Sequence, residues 1–82
     1  MKEIQPIQIW VNGNLQTAIW FLLSINSDNL TDSATFYYSL KDANTNNIAQ
    51  DNLTISGEDY KLWNSNEYAF NWAANELNIV LV

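Results

Sequence analysis

Apolar and polar residues alternate along most of the first 55 positions, with the period of two that is typical of β-strands. In the first such run, Ile7, Ile9 and Val11 occupy every second position. Asn12-Gly13 then separates this run from the next. Because Asn-Gly favours a two-residue turn between paired strands, it predicts a β-hairpin. The same pattern predicts strands over residues 7–11, 15–25, 34–40 and 48–55.

The second predicted strand is apolar on both of its faces. One face consists of the odd-numbered positions Leu15, Thr17, Ile19, Phe21, Leu23 and Ile25. On the other face, Trp20 and Leu22 make the middle of the strand apolar as well. A strand with two apolar faces is either central in a sandwich or half-covered by a partner chain.

After residue 55 the period changes from that of a strand to that of a helix. Ser56 is a candidate N-cap with Asp59 three residues later, which predicts a capping box and a short helix that ends near Trp63. A second helix is predicted over residues 67–77, with one apolar stripe. That stripe consists of Ala69, Trp72, Ala73 and Leu77. Asn78 suits a left-handed residue after the helix, and residues 79–82 are predicted to form a last short strand.

The element order β-β-β-β-α-α-β places the chain in the α+β class, with a mainly antiparallel sheet of about five strands and two short helices near the C-terminus. Residues 1–82 form a single β-rich domain. The chain contains no cysteine, so disulfides cannot stabilise it. It is instead rich in aromatic residues, with four Trp, four Tyr and three Phe. Since small domains without cross-links often add stability by oligomerisation, we expect some of these aromatics to contact a partner.

The charge balance excludes two classes of partner. Nine acidic residues and three lysines give a formal net charge of −6, and there is no arginine. Nucleic-acid binding requires Lys and Arg for phosphate contacts, and binding to an anionic membrane surface requires them too. The longest apolar run, residues 18–23, is also far shorter than the roughly 20 residues of a membrane span. We find no signal-peptide pattern, and we expect synthesis in the cytoplasm.

Residue types needed for catalysis are missing. Without Cys or His, the usual nucleophilic triads and zinc sites cannot form. Glu58 and Asp59 are adjacent at a predicted helix start, where they stabilise the helix dipole and do not converge on a substrate. The oxygen-rich segments 28–32 and 42–46 lack the pattern of a calcium loop and are predicted to be turns. We therefore predict no catalytic residue, cofactor, metal site or small-molecule substrate.

Aromatic residues fall into two predicted groups. The first lies near the helices, where helical spacing favours core packing over a sugar-binding platform; it consists of Tyr60, Trp63, Tyr68, Phe70 and Trp72. The second lies on strand faces opposite the main apolar sets, and an apolar second face on a sheet needs a cover. We predict that this second group, which consists of Trp10, Trp20 and Tyr37, forms an interface together with Leu22.

The C-terminal half of the chain resembles a family of small proteins from tailed bacteriophages. The matching segments are residues 53–63 (LTISGEDYKLW), 66–70 (NEYAF) and 74–79 (ANELNI), within a likeness that covers residues 34–80. Asn78 replaces the glycine of that pattern, which the left-handed geometry allows. The resemblance implies a phage origin and a virion component such as a decoration, head-fibre or tail-associated protein. It implies no catalytic residue.

These observations predict a non-catalytic structural protein of a phage particle that acts through protein–protein contacts. Its expected partners are copies of itself, other virion proteins, or both, and its expected location is the host cytoplasm and then the virion. The alternative is a small acidic binding module or an inhibitor of a host protein, since an acidic surface suits a mimic of nucleic acid. An enzyme ranks third, for want of a nucleophile, a base and a cleft.

Overall fold

The structure is a computed structural model that describes every residue from Met1 to Val82. Four antiparallel strands form one sheet in the order β1-β2-β3-β4, so that each strand pairs with its neighbours in sequence. Two helices follow, which confirms the α+β class. The elements are β1 Lys2–Val11, β2 Asn14–Asp28, β3 Ser33–Lys41, β4 Asn47–Ser56, α1 Gly57–Leu62 and α2 Asn66–Leu77.

The turn between β1 and β2 is the one that the sequence predicts. Asn12 has φ 49° and Gly13 has φ 85°, and Val11 pairs with Asn14 on either side of them. Two consecutive positive φ angles are characteristic of a type I′ turn, whose twist matches that of paired strands. Asn and Gly are the residues that adopt these angles most readily, so the local sequence fixes this hairpin.

Both helices pack on one face of the sheet, which we call the inner face. The core between the helices and the inner face has two clusters of buried residues, one around Phe21 and one around Phe36. Helix α2 contributes Ala69, Ala73 and Ala74, whose small side chains let the helix lie close to the strands. Neither helix is long and apolar enough to cross a membrane.

Aromatic contacts join the helices to the inner face. Phe21 meets Phe70 edge-to-face with ring centroids 5.6 Å apart. Phe36 meets Trp63 in the same way at 5.0 Å, and Trp72 at 5.9 Å. Such pairs add about 0.5–1.5 kcal/mol beyond the area that they bury. These contacts agree with the core-packing prediction for the aromatics near the helices.

The predicted continuous apolar face of β2 is wrong. The buried residues of this strand are Ala18 and Phe21, which are three positions apart, whereas Leu15 and Ile25 are largely exposed. The alternation is interrupted opposite an irregularity in β1, where Glu3 pairs with Trp20 but the next pair is Ile7 with Ala18. A bulged strand bends and re-aims its side chains, and periodicity alone does not reveal this.

The predicted fifth strand is reduced to a single antiparallel bridge between Ile4 and Leu81. Two backbone hydrogen bonds flank it, from Gln5 N to Val80 O at 2.8 Å and from Val82 N to Glu3 O at 3.0 Å. Ile79 N instead donates to Ala74 O at the end of α2, so the pairing with β1 does not continue beyond Val80. The C-terminal residues therefore cover only the start of the β1 edge.

Of the helix-end features, the left-handed Asn78 is as predicted, the capping box at Ser56 is not formed, and the cap at Ser65 was not predicted. Ser56 is the N-cap of α1, but its side chain makes no capping hydrogen bond, so the predicted capping box is wrong. The functional cap lies at Ser65, whose hydroxyl accepts a hydrogen bond from Tyr68 N at 3.1 Å. Asn78 ends α2 with φ 57° and ψ 38°, the predicted left-handed conformation. A six-residue helix that directly follows a strand is positioned more by its connections than by its cap.

Candidate functional site

Three of the four predicted interface residues lie together on the face of the sheet that the helices leave open, which we call the outer face. Residues directly opposite each other on antiparallel strands share a face. Leu22 pairs with Ser39, and Ser24 pairs with Tyr37, while Trp20 is two positions from Leu22 on the same strand. Trp20, Leu22 and Tyr37 are all half-buried. We call these three residues the outer patch.

Side chains of the outer face bury a serine in its centre. Ser39 is only 1% exposed, and its hydroxyl has no hydrogen-bond partner. The Tyr37 hydroxyl donates a hydrogen bond to Gln50 Oε1 at 2.6 Å, and Gln50 is the direct neighbour of Ser39 on β4. The tyrosine therefore leans across the serine. This hydrogen bond fixes the direction of the Tyr37 side chain on the outer face.

Opposite charges lie on either side of Trp20. In the pairing of the strands, Glu3 is opposite Trp20 on β1 and Lys41 is opposite Trp20 on β3. Glu3 is exposed and Lys41 is half-buried. One row across the outer face thus runs from an acid through an indole to a lysine. A second copy can stack face to face on the first, related to it by a half-turn about an axis parallel to the strands. Glu3 of each copy then lies over Lys41 of the other.

Trp10, the fourth predicted residue, lies apart from the others near the β1–β2 turn. It is 69% exposed and pairs directly with Leu15, which is 61% exposed. Leu15 lies about 16 Å along β2 from Trp20, at 3.3 Å per residue. We call the Trp10–Leu15 pair the hairpin knob. Leu15 was not predicted as a surface residue, because the alternation along β2 placed it on the same apolar face as Phe21.

A cleft of about 280 Å³ opens on the inner face, between α2 and the second half of β2. Six of the eight residues around it are apolar and none is charged. The apolar ones are Leu23, Ile25, Phe36, Trp63, Ala69 and Phe70. We call this the α2 cleft. Ile25 is 57% exposed at its rim, so an apolar surface is open to solvent there.

A shallow polar hollow adjoins the α2 cleft and shares Trp63 and Asn66 with it. At its edge the Tyr60 hydroxyl donates a hydrogen bond to Asp28 Oδ1 at 2.8 Å. This hydrogen bond raises the pKa of Tyr60, and burial and the negative charges of Asp28 and Asp32 act in the same direction. The tyrosine therefore stays protonated and ties α1 to the end of β2.

The two oxygen-rich segments form turns, as predicted. In the first, Asn29 Oδ1 accepts the backbone N–H groups of Thr31, Asp32 and Ser33 at 2.9–3.1 Å. In the second, Asp42 Oδ1 accepts those of Asn44 and Asn46, each at 2.9 Å.

The hydrogen bond from Asn46 lowers the pKa of Asp42 the most, and that from Asn44 adds to it. Nowhere in the structure do three acidic side chains come together around a common point. The carboxylates of these segments are used to shape loops.

Comparisons with protein-family models, with curated proteins and with solved structures find no match for this chain. The likeness of residues 34–80 to phage proteins therefore stays a prediction. Three surfaces of the molecule are candidate functional sites: the outer patch, the hairpin knob and the α2 cleft.

Proposed function

We propose that this protein is a non-catalytic assembly protein that associates with copies of itself through the outer face of its sheet. The resemblance to phage proteins supplies the setting, a virion component such as a decoration, head-fibre or tail-associated protein. Catalysis is disfavoured by the sequence itself, which has no Cys and no His.

The observation that carries this proposal is the outer patch. Trp20, Leu22 and Tyr37 present a contiguous apolar surface on a sheet face that neither helix covers. Large aromatic side chains of this type are the usual anchors of protein interfaces. An apolar patch on a sheet face that no helix covers is a common site of protein–protein contact.

Charge supports a second copy as the partner. A protein with net charge −6 repels another copy of itself unless the contacting surfaces are neutral or complementary. The outer patch contains no charge, and the Glu3–Trp20–Lys41 row is complementary to itself after a half-turn. The face thus favours a symmetric dimer in which each acid meets a lysine of the other copy.

The mass in solution, measured by light scattering behind a sizing column, tests this proposal. At the dilution reached on the column, we expect the wild-type protein to contain a dimer that Trp20→Thr reduces to a monomer. Leu62→Thr is the matched control, because Leu62 is an exposed apolar residue on α1, away from the outer patch. It is expected to leave the dimer intact.

Charge reversal makes the test specific to the symmetric arrangement. Glu3→Lys alone is expected to weaken the dimer, since lysines of the two copies would then face each other. The double variant Glu3→Lys with Lys41→Glu is expected to restore it. A wild-type protein that stays monomeric at high concentration, or a dimer that tolerates Trp20→Thr, would overturn the proposal.

A second candidate function is a small acidic binding module or an inhibitor of a host protein. The α2 cleft favours it, because a concave apolar surface beside polar groups is a common form of binding site. Under this alternative the protein is a monomer and Trp20→Thr leaves its mass unchanged. The solution mass therefore separates the two candidates.

A further inference from the structure

We infer that the hairpin knob of one copy inserts into the α2 cleft of the next copy, so that the protein can assemble head to tail. This inference rests on the proposed role in self-assembly, but it uses surfaces other than the outer patch. It names the occupant of the cleft as a second copy of this chain.

The occupant must be apolar and uncharged. The α2 cleft is lined by apolar residues together with Ser24 and Asn66, and no charged residue reaches it. A cleft of about 280 Å³ lies just below the roughly 300–1,000 Å³ range of small-molecule sites. It is of a size to receive one or two side chains, and an exposed indole in an apolar pocket is a typical interface anchor.

The chain carries such an anchor on a segment free of charge. Every charged residue lies outside positions 4–27, which include all of the β1–β2 turn and most of β2. In a protein with net charge −6, this hairpin is the part that can approach another copy with least repulsion. Trp10 and Leu15 are its exposed large apolar side chains near the turn.

The knob cannot fill the cleft of its own copy. Leu15 and Ile25 lie on the same strand, ten residues apart, which corresponds to about 33 Å. The whole molecule is 41 Å long, so the two features lie toward opposite ends of it. Contact between two different surfaces is a heterologous contact, which produces either a ring or an open chain of copies.

The polar hollow beside the cleft fits the same occupant. Asn64, Ser65 and Asn66 line it with hydrogen-bonding side chains, together with one charge of each sign, Asp28 and Lys61. The turn beyond the knob consists of Asn12 and Gly13, followed by Asn14. An apolar pair that enters the cleft would bring this polar turn toward a polar surface. A knob of two side chains buries less than a standard interface, so each contact is expected to be weak.

Two blocked variants test the inference, both in a Trp20→Thr background that removes the proposed outer-face dimer. Trp10→Ser removes the knob, and Ile25→Glu places a charge at the rim of the cleft. Ile25 is exposed, so this change spares the core. Leu30→Glu is the matched control, because Leu30 is also exposed and apolar but lies outside the cleft.

Sedimentation velocity, at protein concentrations up to about 1 mM because the contact is weak, is the readout. The Trp20→Thr protein and its Leu30→Glu control should grow with concentration into chains or rings. Each blocked variant alone should stay a monomer, while their mixture should form a one-to-one pair that grows no further. In that pair, the intact knob of the Ile25→Glu copy occupies the intact cleft of the Trp10→Ser copy, and no second contact is left for growth. Either block should weaken the contact by about 30-fold or more, as for other buried aromatic anchors.

Two outcomes would overturn the inference: no growth of the Trp20→Thr protein, or a mixture of blocked variants that stays monomeric. Circular dichroism of each variant checks that it is folded, and Trp10→Phe, which keeps an aromatic knob, should retain growth. If the wild-type dimer is lost with Trp20→Thr while no head-to-tail growth is seen, the proposed function stands and this inference fails. If growth is seen without an outer-face dimer, the inference stands by itself.

Discussion

Phe36 and Tyr37 are neighbours on β3 that point to opposite faces of the sheet, and their surroundings differ sharply. Phe36 is 1% exposed and packs against Trp63 and Trp72 on the inner face. Tyr37 is half-buried on the outer face and has one side-chain hydrogen bond, to Gln50. The inner aromatic contributes to the folding of one chain. The outer aromatic leaves part of its surface available for contact with another chain.

The largest expected effect comes from truncating these two neighbours to alanine. Phe36→Ala should lower the free energy of unfolding by about 3–5 kcal/mol, because it leaves a cavity between sheet and helices. Tyr37→Ala should lower it by about 1–2 kcal/mol, from one hydrogen bond and part of a buried ring. Urea unfolding followed by Trp fluorescence measures both. If Phe36→Ala does not fold, Phe36→Leu preserves the comparison with a smaller cavity. Equal losses for the two positions would show that the faces do not differ as described.

Enlarging a small residue of the inner face tests how tightly the helix lies on the sheet. Ala73 of α2 is fully buried against the sheet, so Ala73→Leu should cost about 1–3 kcal/mol by overpacking. Asn71→Leu is the control, since Asn71 is exposed on the same helix and Leu has the better helix propensity. The control should keep or raise the midpoint of thermal unfolding. A neutral Ala73→Leu would indicate a looser core than the structure describes.

A smaller effect, of opposite sign, is expected in the centre of the outer face. Ser39 has a buried hydroxyl without a partner, and leaving such a group unsatisfied costs about 1–3 kcal/mol. Ser39→Ala should therefore leave the free energy of unfolding unchanged or raise it by up to about 1 kcal/mol. Ser24→Ala, at an exposed position opposite Tyr37, provides the baseline in the same urea titration. A clear loss of stability at Ser39 would mean that its hydroxyl is bonded after all.

The smallest effect concerns the ion pair that links β1 to α2 at the edge of the inner face. Lys2 Nζ lies 3.4 Å from Glu67 Oε2 and 5.5 Å from the centre of the Phe70 ring. Both charged side chains are well exposed, so Glu67→Gln should cost less than about 0.5 kcal/mol. The difference from wild type should disappear in 1 M salt, where screening is nearly complete. A difference that persists in salt would point to packing and not to charge.

Local sequence determines the features that were predicted best. The Asn12-Gly13 turn and the left-handed Asn78 depend on a few adjacent residues, and both are present. The alternation that selected Trp20, Leu22 and Tyr37 also held, because β2 and β3 pair regularly over residues 20–25 and 36–41. These three residues are therefore the part of the candidate site that the sequence could predict.

Features that depend on distant segments were not predictable in the same way. The interruption in β2 lies opposite an irregularity in β1, so the burial of Ala18 and the exposure of Leu15 do not follow from the alternation of either strand. The α2 cleft forms where a helix from the end of the chain crosses strands from its middle. The hydrophobic periodicity of the two segments does not show that they cross. Ile25 was therefore predicted to lie on the apolar face of its strand with the core residues.

The bridge between Ile4 and Leu81 has a consequence for the kinetics of folding. All strand pairs of the sheet join neighbours in sequence, so their loops are short and inexpensive in entropy to close. The bridge instead joins residues 77 positions apart, the difference between 81 and 4, and requires nearly the whole chain to be in place. Because such contacts of high sequence separation slow folding, we expect the hairpins to form first and this contact last. Unfolding under native conditions should accordingly begin where the two chain ends meet.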